Sequence, residues 1–171
     1  MNKIILISVL VEFIIFQLYY SIKYKVQPSI SASIFVLTGT YEKWFYQFMI
    51  LLTSFGLGIV AHTPGGTLAA ILICIDSFAT ATRTDKIQSS LHVFGATAGI
   101  IAGMVMLIEV GAWYLVPIYG VFYFFATPAK INFKKLILLN KLSHKGLQNY
   151  TTWIENAALA VCILGLFITR I

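Results

Sequence analysis

Six apolar stretches, separated by segments that hold nearly all of the basic residues, constrain this chain more than anything else in it. Read as helices, they cover about residues 4–22, 44–61, 67–82, 90–110, 113–127 and 152–169. The connections after the first, third and fifth then carry Lys23, Lys25, Lys43, Arg83, Lys86, Lys130, Lys134, Lys135, Lys141 and Lys145, whereas only Lys3 and Arg170 fall on the other side. Short loops rich in Lys and Arg stay in the cytoplasm. The pattern predicts an all-α fold: a polytopic membrane helix bundle of six transmembrane helices with both termini extracytoplasmic. Residues 1–171 form a single integral membrane domain, and the expected location is the cell membrane, of the bacterial inner-membrane type.

Composition agrees. Hydrophobic residues make up 59% of the chain and charged residues 11%, where a soluble domain averages roughly 25% charged. A crossing takes about 20 residues, so the loops leave no room for a separate soluble domain. A net charge of +6 in a soluble protein would suggest nucleic acid, but here the charges flank apolar spans and set topology, and no nucleic-acid partner is expected. Cys74 and Cys162 fall inside spans among apolar neighbours and read as packed thiols rather than a disulfide framework. The first apolar run is too long for a signal peptide, lacks a small-residue cleavage site and is followed by Lys23 and Lys25, so it reads as a retained helix.

Two connections on the basic side are more than turns. Pro28-Ser29-Ile30-Ser31-Ala32-Ser33-Ile34-Phe35 mixes small polar and apolar residues without charge, as expected for a loop resting on headgroups, with partial re-entry over residues 28–38 as the alternative. Lys134, Lys141 and Lys145 are spaced by seven and four, which aligns them on one face of a helical extension. That face is either solvated or a site for anionic lipid headgroups, each basic residue near the surface contributing about 1 kcal/mol. Trp44, Trp113 and Trp153 stand at span ends, where interfacial aromatic residues collect.

Within the spans, Gly95, Gly99 and Gly103 form a double G-x-x-x-G flanked by Ala98 and Ala102. Small residues at this spacing let helix backbones approach closely. Packing inside the bundle is the first expectation; a homo-oligomer seam, or a seam with another membrane protein, is the alternative.

Glu12, Asp76, His92 and Glu155 form a polar intramembrane cluster in this reading. A charge at the bilayer centre costs roughly 2.5 to 3.5 kcal/mol on insertion scales, so such residues face protein or a water-filled cavity. Asp76, His92 and Glu155 share a depth near the cytoplasmic side, with Glu12 above them. Carboxylates around one histidine suit a divalent cation, a proton relay or an acid-base pair, and Ser77, Ser89 and Ser90 offer hydroxyls. The structural alternative pairs Asp76 and Glu155 with Arg83, Lys86 or backbone amides and lets His92 pack the start of its helix. One histidine is too few for a zinc site, so no cofactor is expected and the metal question stays open. His62 lies at the opposite face from His92, which excludes a bis-histidine haem between them. Glu109 reads as a rim residue and His144 as solvent- or headgroup-facing. Nothing in the chain matches a P-loop, a dinucleotide motif, a nucleophile elbow or a Cys-x-x-Cys pair.

Three segments resemble, as a set, small uncharacterised multi-pass membrane proteins of bacteria and their phages: Pro28 to Ser33, Lys86 through His92 to Gly95-Ala96, and Trp153-Ile154-Glu155. That resemblance implies an architecture and no activity. The stretch from His92 to Ala96 is also distantly similar to the CREST group of membrane hydrolases. The resemblance implies a zinc-dependent lipid hydrolase in which Asp76 or Asp85, Ser89 and His92 would be catalytic. The group's last span carries an H-x-x-x-H pair, and here that span offers Glu155 and no histidine. The leading expectation is therefore a non-enzymatic membrane protein that binds a partner protein, lipid or ion within the bilayer. A CREST-like hydrolase using Asp76, Ser89, His92 and Glu155, and a small proton- or cation-coupled transporter using Glu12, are the alternatives.

Overall fold

The computed structural model describes residues 2–24, 40–78, 86–126 and 150–170. These residues form six helices and, among them, no strand: α1 (Asn2–Tyr24), α2 (Thr40–Ala61), α3 (Pro64–Phe78), α4 (Lys86–Glu109), α5 (Leu115–Ala126) and α6 (Tyr150–Arg170). Among the described residues, Pro117 is the one proline beyond a first helical position, and it sits in the first turn of α5, where its missing N–H costs no intrahelical bond. The segment 28–38, the basic residues Arg83, Lys134, Lys141 and Lys145, and Asp85 and His144 lie outside the described residues.

The short turns α2–α3 and α4–α5 lie at one end of the bundle, the turn end; the longer connections leave the opposite, loop end. The α2–α3 reversal is tighter than the sequence reading of residues 62–66 as a turn. His62 takes a left-handed conformation (φ 51°), Thr63 caps α3 by accepting from the Gly66 N–H at 3.1 Å, and the helix resumes at Pro64, a position that suits its fixed φ. Gly65 and Gly66 are thus helical. They answer to proximity: a Cβ on Gly66 would stand 2.6 Å from the Cβ of Ala61, and one on Gly65 2.8 Å from the backbone nitrogen of Met106. At the other turn, Gly111 (φ 87°) ends α4 with its N–H donating to the Ile108 carbonyl at 3.0 Å and that of Ala112 to Leu107 at 2.8 Å. This is the paired-bond ending that favours glycine.

Among the helix pairs, α3 and α4 pack most extensively, followed by α2 and α3, while α5 rests on α6 and touches α4 lightly. The glycines of α4 explain the first. A Cβ on Gly95 would lie 2.9 Å from both the Asp76 nitrogen and the Leu72 carbonyl oxygen, so backbone meets backbone there. Gly99 faces Ile73 of α3, and Gly103 faces the Sγ of Cys162 on α6. The small-residue face is therefore occupied within the chain. The main apolar core fills the turn-end half, with Leu6, Val60, Leu107, Ala112 and Leu166 fully buried. Cys162 is buried and Cys74 partly so; both are free thiols.

The outer surface is apolar. On α1 the positions turned outward at helical spacing are Ile4, Ile7, Val11, Ile14, Ile15, Leu18 and Ile22, and on α5 Phe124 and Phe125 are 75% and 79% exposed. Among the described residues one helix, Tyr41–Ala61, is both long and apolar enough to cross a membrane; Pro64–Ser77, Phe94–Glu109 and Leu115–Phe125 are apolar but shorter.

Candidate functional site: an interior cavity with carboxylates toward the loop end

The buried polar side chains gather on the faces of α1, α2, α3 and α6 that meet inside the bundle. On α2, Tyr46 and Thr53 are seven residues apart, as are Gln47 and Ser54, so two turns of helix bring each pair to the same side. Tyr46 packs its ring on Phe16 of α1 with centroids 5.1 Å apart. Deeper in, the hydroxyl of Thr53 donates to the Glu12 carboxylate at 3.2 Å, which joins α1 to α2 by a buried bond. Nearer the loop end, the Gln47 side chain donates to the Ser77 carbonyl at 3.3 Å and joins α2 to α3.

Between α1, α2, α3, α4 and α6 lies a cavity of about 110 Å³. Apolar groups such as Phe13, Phe16, Ile50, Ile73, Met106 and Leu159 make most of its wall. Its polar lining residues include Tyr46, Thr53 and Ser54 on α2, Asp76 and Ser77 on α3, and Glu155 on α6. Gly66, Gly99 and Gly103 also line it, so the residues that permit close helix approach leave space beside the contact. Among the described residues, no Lys, Arg or His lines it. Ser77 is 5% exposed, and its hydroxyl has no hydrogen-bond partner among the described residues. A cavity of roughly 150 Å³ admits benzene, and drug-sized pockets run about 300 to 1,000 Å³. This one therefore suits a group of a few heavy atoms.

Of the four residues read as a polar cluster, Asp76 and Glu155 border the same cavity, and Glu12 is linked to its wall through Thr53. His92 and Ser89 belong to α4, but their side chains lie outside the described residues, as do those of Arg83 and Lys86. No three His, Cys, Asp or Glu side chains among the described residues come together to hold a metal ion.

Glu109, Arg170, Lys23 and Glu42 have structural work at the ends. At the turn end, Glu109 accepts from the Gly65 N–H at 2.9 Å, where the helix dipole of α3 favours an anion. Arg170 donates to the Ala61 carbonyl at 2.9 Å and satisfies the end of α2. His62 is exposed there, at the end away from Asp76 and Glu155. At the loop end, Lys23 pairs with Glu42 at 2.6 Å and lies over the ring of Tyr19. Trp44 and Trp113 are 64% and 63% exposed at opposite ends of the bundle.

The reading of ionisable residues alone missed Gln47, Thr53 and Ser54. The available signal was the repeated seven-residue spacing of polar groups on an otherwise apolar helix. No family model, curated protein or solved structure matches the chain.

Proposed function

We propose that the protein is a non-enzymatic, six-span integral membrane protein of the cell membrane whose interior cavity binds a small ligand within the bilayer. The observation that carries this reading is the inverted distribution of polarity: Ile, Leu, Val and Phe cover the outside of the helices, while Glu12, Thr53, Ser54 and Ser77 are buried. Water would penalise that surface, whereas hydrocarbon accepts it and drives polar groups inward. The charge asymmetry supports extracytoplasmic termini, with the loop end in the cytoplasm and Lys134, Lys141 and Lys145 near anionic headgroups.

A second reading is supported by the buried bond between Glu12 and Thr53. It places a proton-accepting group beside the cavity wall, as a proton- or cation-coupled transporter requires. Ser89 and His92, on which the hydrolase reading turns, have side chains outside the described residues.

Single cysteines at positions 62, 111 and 141, in a background with Cys74 and Cys162 replaced by Ala, test the membrane reading. A membrane-impermeant maleimide should label 62 and 111 on intact cells and reach 141 only after the cells are opened. Labelling of 141 from outside would reverse the orientation, and release of the protein by alkaline carbonate would overturn the membrane assignment.

A further inference from the structure

We infer that the Glu12–Thr53 pair is a proton-binding site within the bilayer, where the Glu12 carboxyl rests as the neutral acid and the Thr53 hydroxyl orients it. The inference rests on the six-span membrane reading and makes the proton, rather than a metal cation, the ion of the second reading. Glu12 stands midway along α1 and is 9% exposed. The bond it accepts from the Thr53 hydroxyl is its one polar contact among the described residues. Around it, α1 packs on α2 and α6. On α2 no ionisable side chain stands between Tyr46 and the end at Ala61, and on α6 only Cys162 stands between Glu155 and Arg170. On α1 itself Lys3 and Lys23 are nine and eleven residues away, about 14 and 17 Å along the axis. Arg170 is engaged with the Ala61 carbonyl, eight residues beyond Thr53. No basic residue of these three helices therefore stands level with Glu12. A lone carboxylate at that depth is costly, whereas the neutral acid needs only a hydrogen bond.

The helix crossing brings the two groups together. A Cβ on Gly56 would collide with the Val9 side chain, so α1 and α2 approach closely one turn from Glu12 and Thr53. The neighbouring Ser54 hydroxyl donates to the Ile50 carbonyl of its own helix at 2.7 Å, whereas that of Thr53 reaches across to α1. Calcium and magnesium take six or more oxygens. The pair offers one carboxylate and one hydroxyl, enough for a proton.

The test uses the full chain in phosphatidylcholine proteoliposomes at neutral pH. Infrared difference spectra between the parent and Glu12→Gln should show a neutral carboxylic-acid carbonyl band that the variant loses. Thr53→Val should keep the band and shift it to higher frequency, because the carbonyl loses a hydrogen bond; a merely structural threonine would leave the frequency unmoved. Dicyclohexylcarbodiimide takes up the O–H of a neutral acid across one N=C bond and rearranges to an N-acylurea with no leaving group. It should modify the parent at Glu12, read by peptide mass spectrometry, and neither sodium nor calcium should protect. Should Glu12→Gln fail to fold, the modified peptide decides alone. A carboxylate band in place of the neutral one, an unshifted band in Thr53→Val, an unmodified Glu12, or protection by sodium or calcium would overturn the proton site and leave the membrane reading standing. Release of the parent by alkaline carbonate would overturn the membrane reading itself.

Discussion

The polar residues of the turn end and those that border the cavity serve in different ways. At the turn end, each polar contact completes a helix: Thr63 and Glu109 receive N–H groups at the start of α3, and Arg170 covers a carbonyl at the end of α2. Toward the loop end, Asp76, Ser77 and Glu155 border a space, and the Ser77 hydroxyl contributes no bond to the fold among the described residues. A polar group that satisfies backbone has a structural reason to be there, whereas one that faces an apolar cavity costs free energy in the folded state and calls for another explanation. Hydroxyls at the two ends should therefore respond to mutation with opposite sign.

The largest expected effect comes from the contact that positions the cavity. Gly95→Leu would drive a side chain into the α3 backbone at Leu72 and Asp76, and the loss should reach about 3 kcal/mol, the upper part of the overpacking range. It is read as a lower midpoint on thermal unfolding in mild detergent. Gly120→Ala is its control: a Cβ there meets nothing within 4 Å, so the α5 helix should gain stability by about 0.5 to 1 kcal/mol. Similar losses in both would remove the distinction between the packed face of α4 and the open side of α5.

Next come the caps. Thr63→Ala and Glu109→Ala should each cost about 1 kcal/mol through unsatisfied N–H groups at the start of α3, read in the same melting assay. Unchanged stability in either variant would remove the capping role given to the turn end and break the division proposed between the two regions.

Ser77→Ala sharpens the comparison because its sign is reversed. Removing a buried hydroxyl that has no partner among the described residues should leave the protein as stable as before, or up to about 1 kcal/mol more stable. A destabilisation comparable to that of Thr63→Ala would give Ser77 a structural role. The smallest effect belongs to the Lys23–Glu42 pair, whose side chains are 43% and 33% exposed. Lys23→Ala should cost about 0.2 to 1 kcal/mol, an amount that shrinks as salt is raised in the same melting assay.

Particular residues show where sequence reasoning reached and where it stopped. The all-helical character and six helices were legible because long apolar runs alternate with basic segments. The start of α3 was misjudged because Pro64-Gly65-Gly66 is ambiguous locally: the same three residues end a helix or open one, and the choice falls to Thr63, which caps, and to Met106, which presses on Gly65. Asp76 and Glu155 stood out as carboxylates among apolar neighbours. Thr53 and Ser54 did not, because hydroxyls are common in membrane helices and only the partner, Glu12 in the case of Thr53, marks one as part of a site.

What the sequence determined by itself was everything set by local chemistry: helices, from uninterrupted apolar runs; their alternating directions, from short turns at one end; and the expectation of a membrane, from an 11% charged composition with the basic residues gathered on one side. Tertiary structure alone decided which helices touch. The G-x-x-x-G of α4 predicts a close neighbour without naming it, and the neighbours prove to be α3 at Gly95 and Gly99 and α6 at Gly103. It also decided that Asp76 and Glu155, distant in the chain, border one cavity while Glu109 caps a helix instead. The physical reason is that hydropathy and charge act residue by residue, but a cavity is a property of the space between helices, fixed only when their backbones have found their distances.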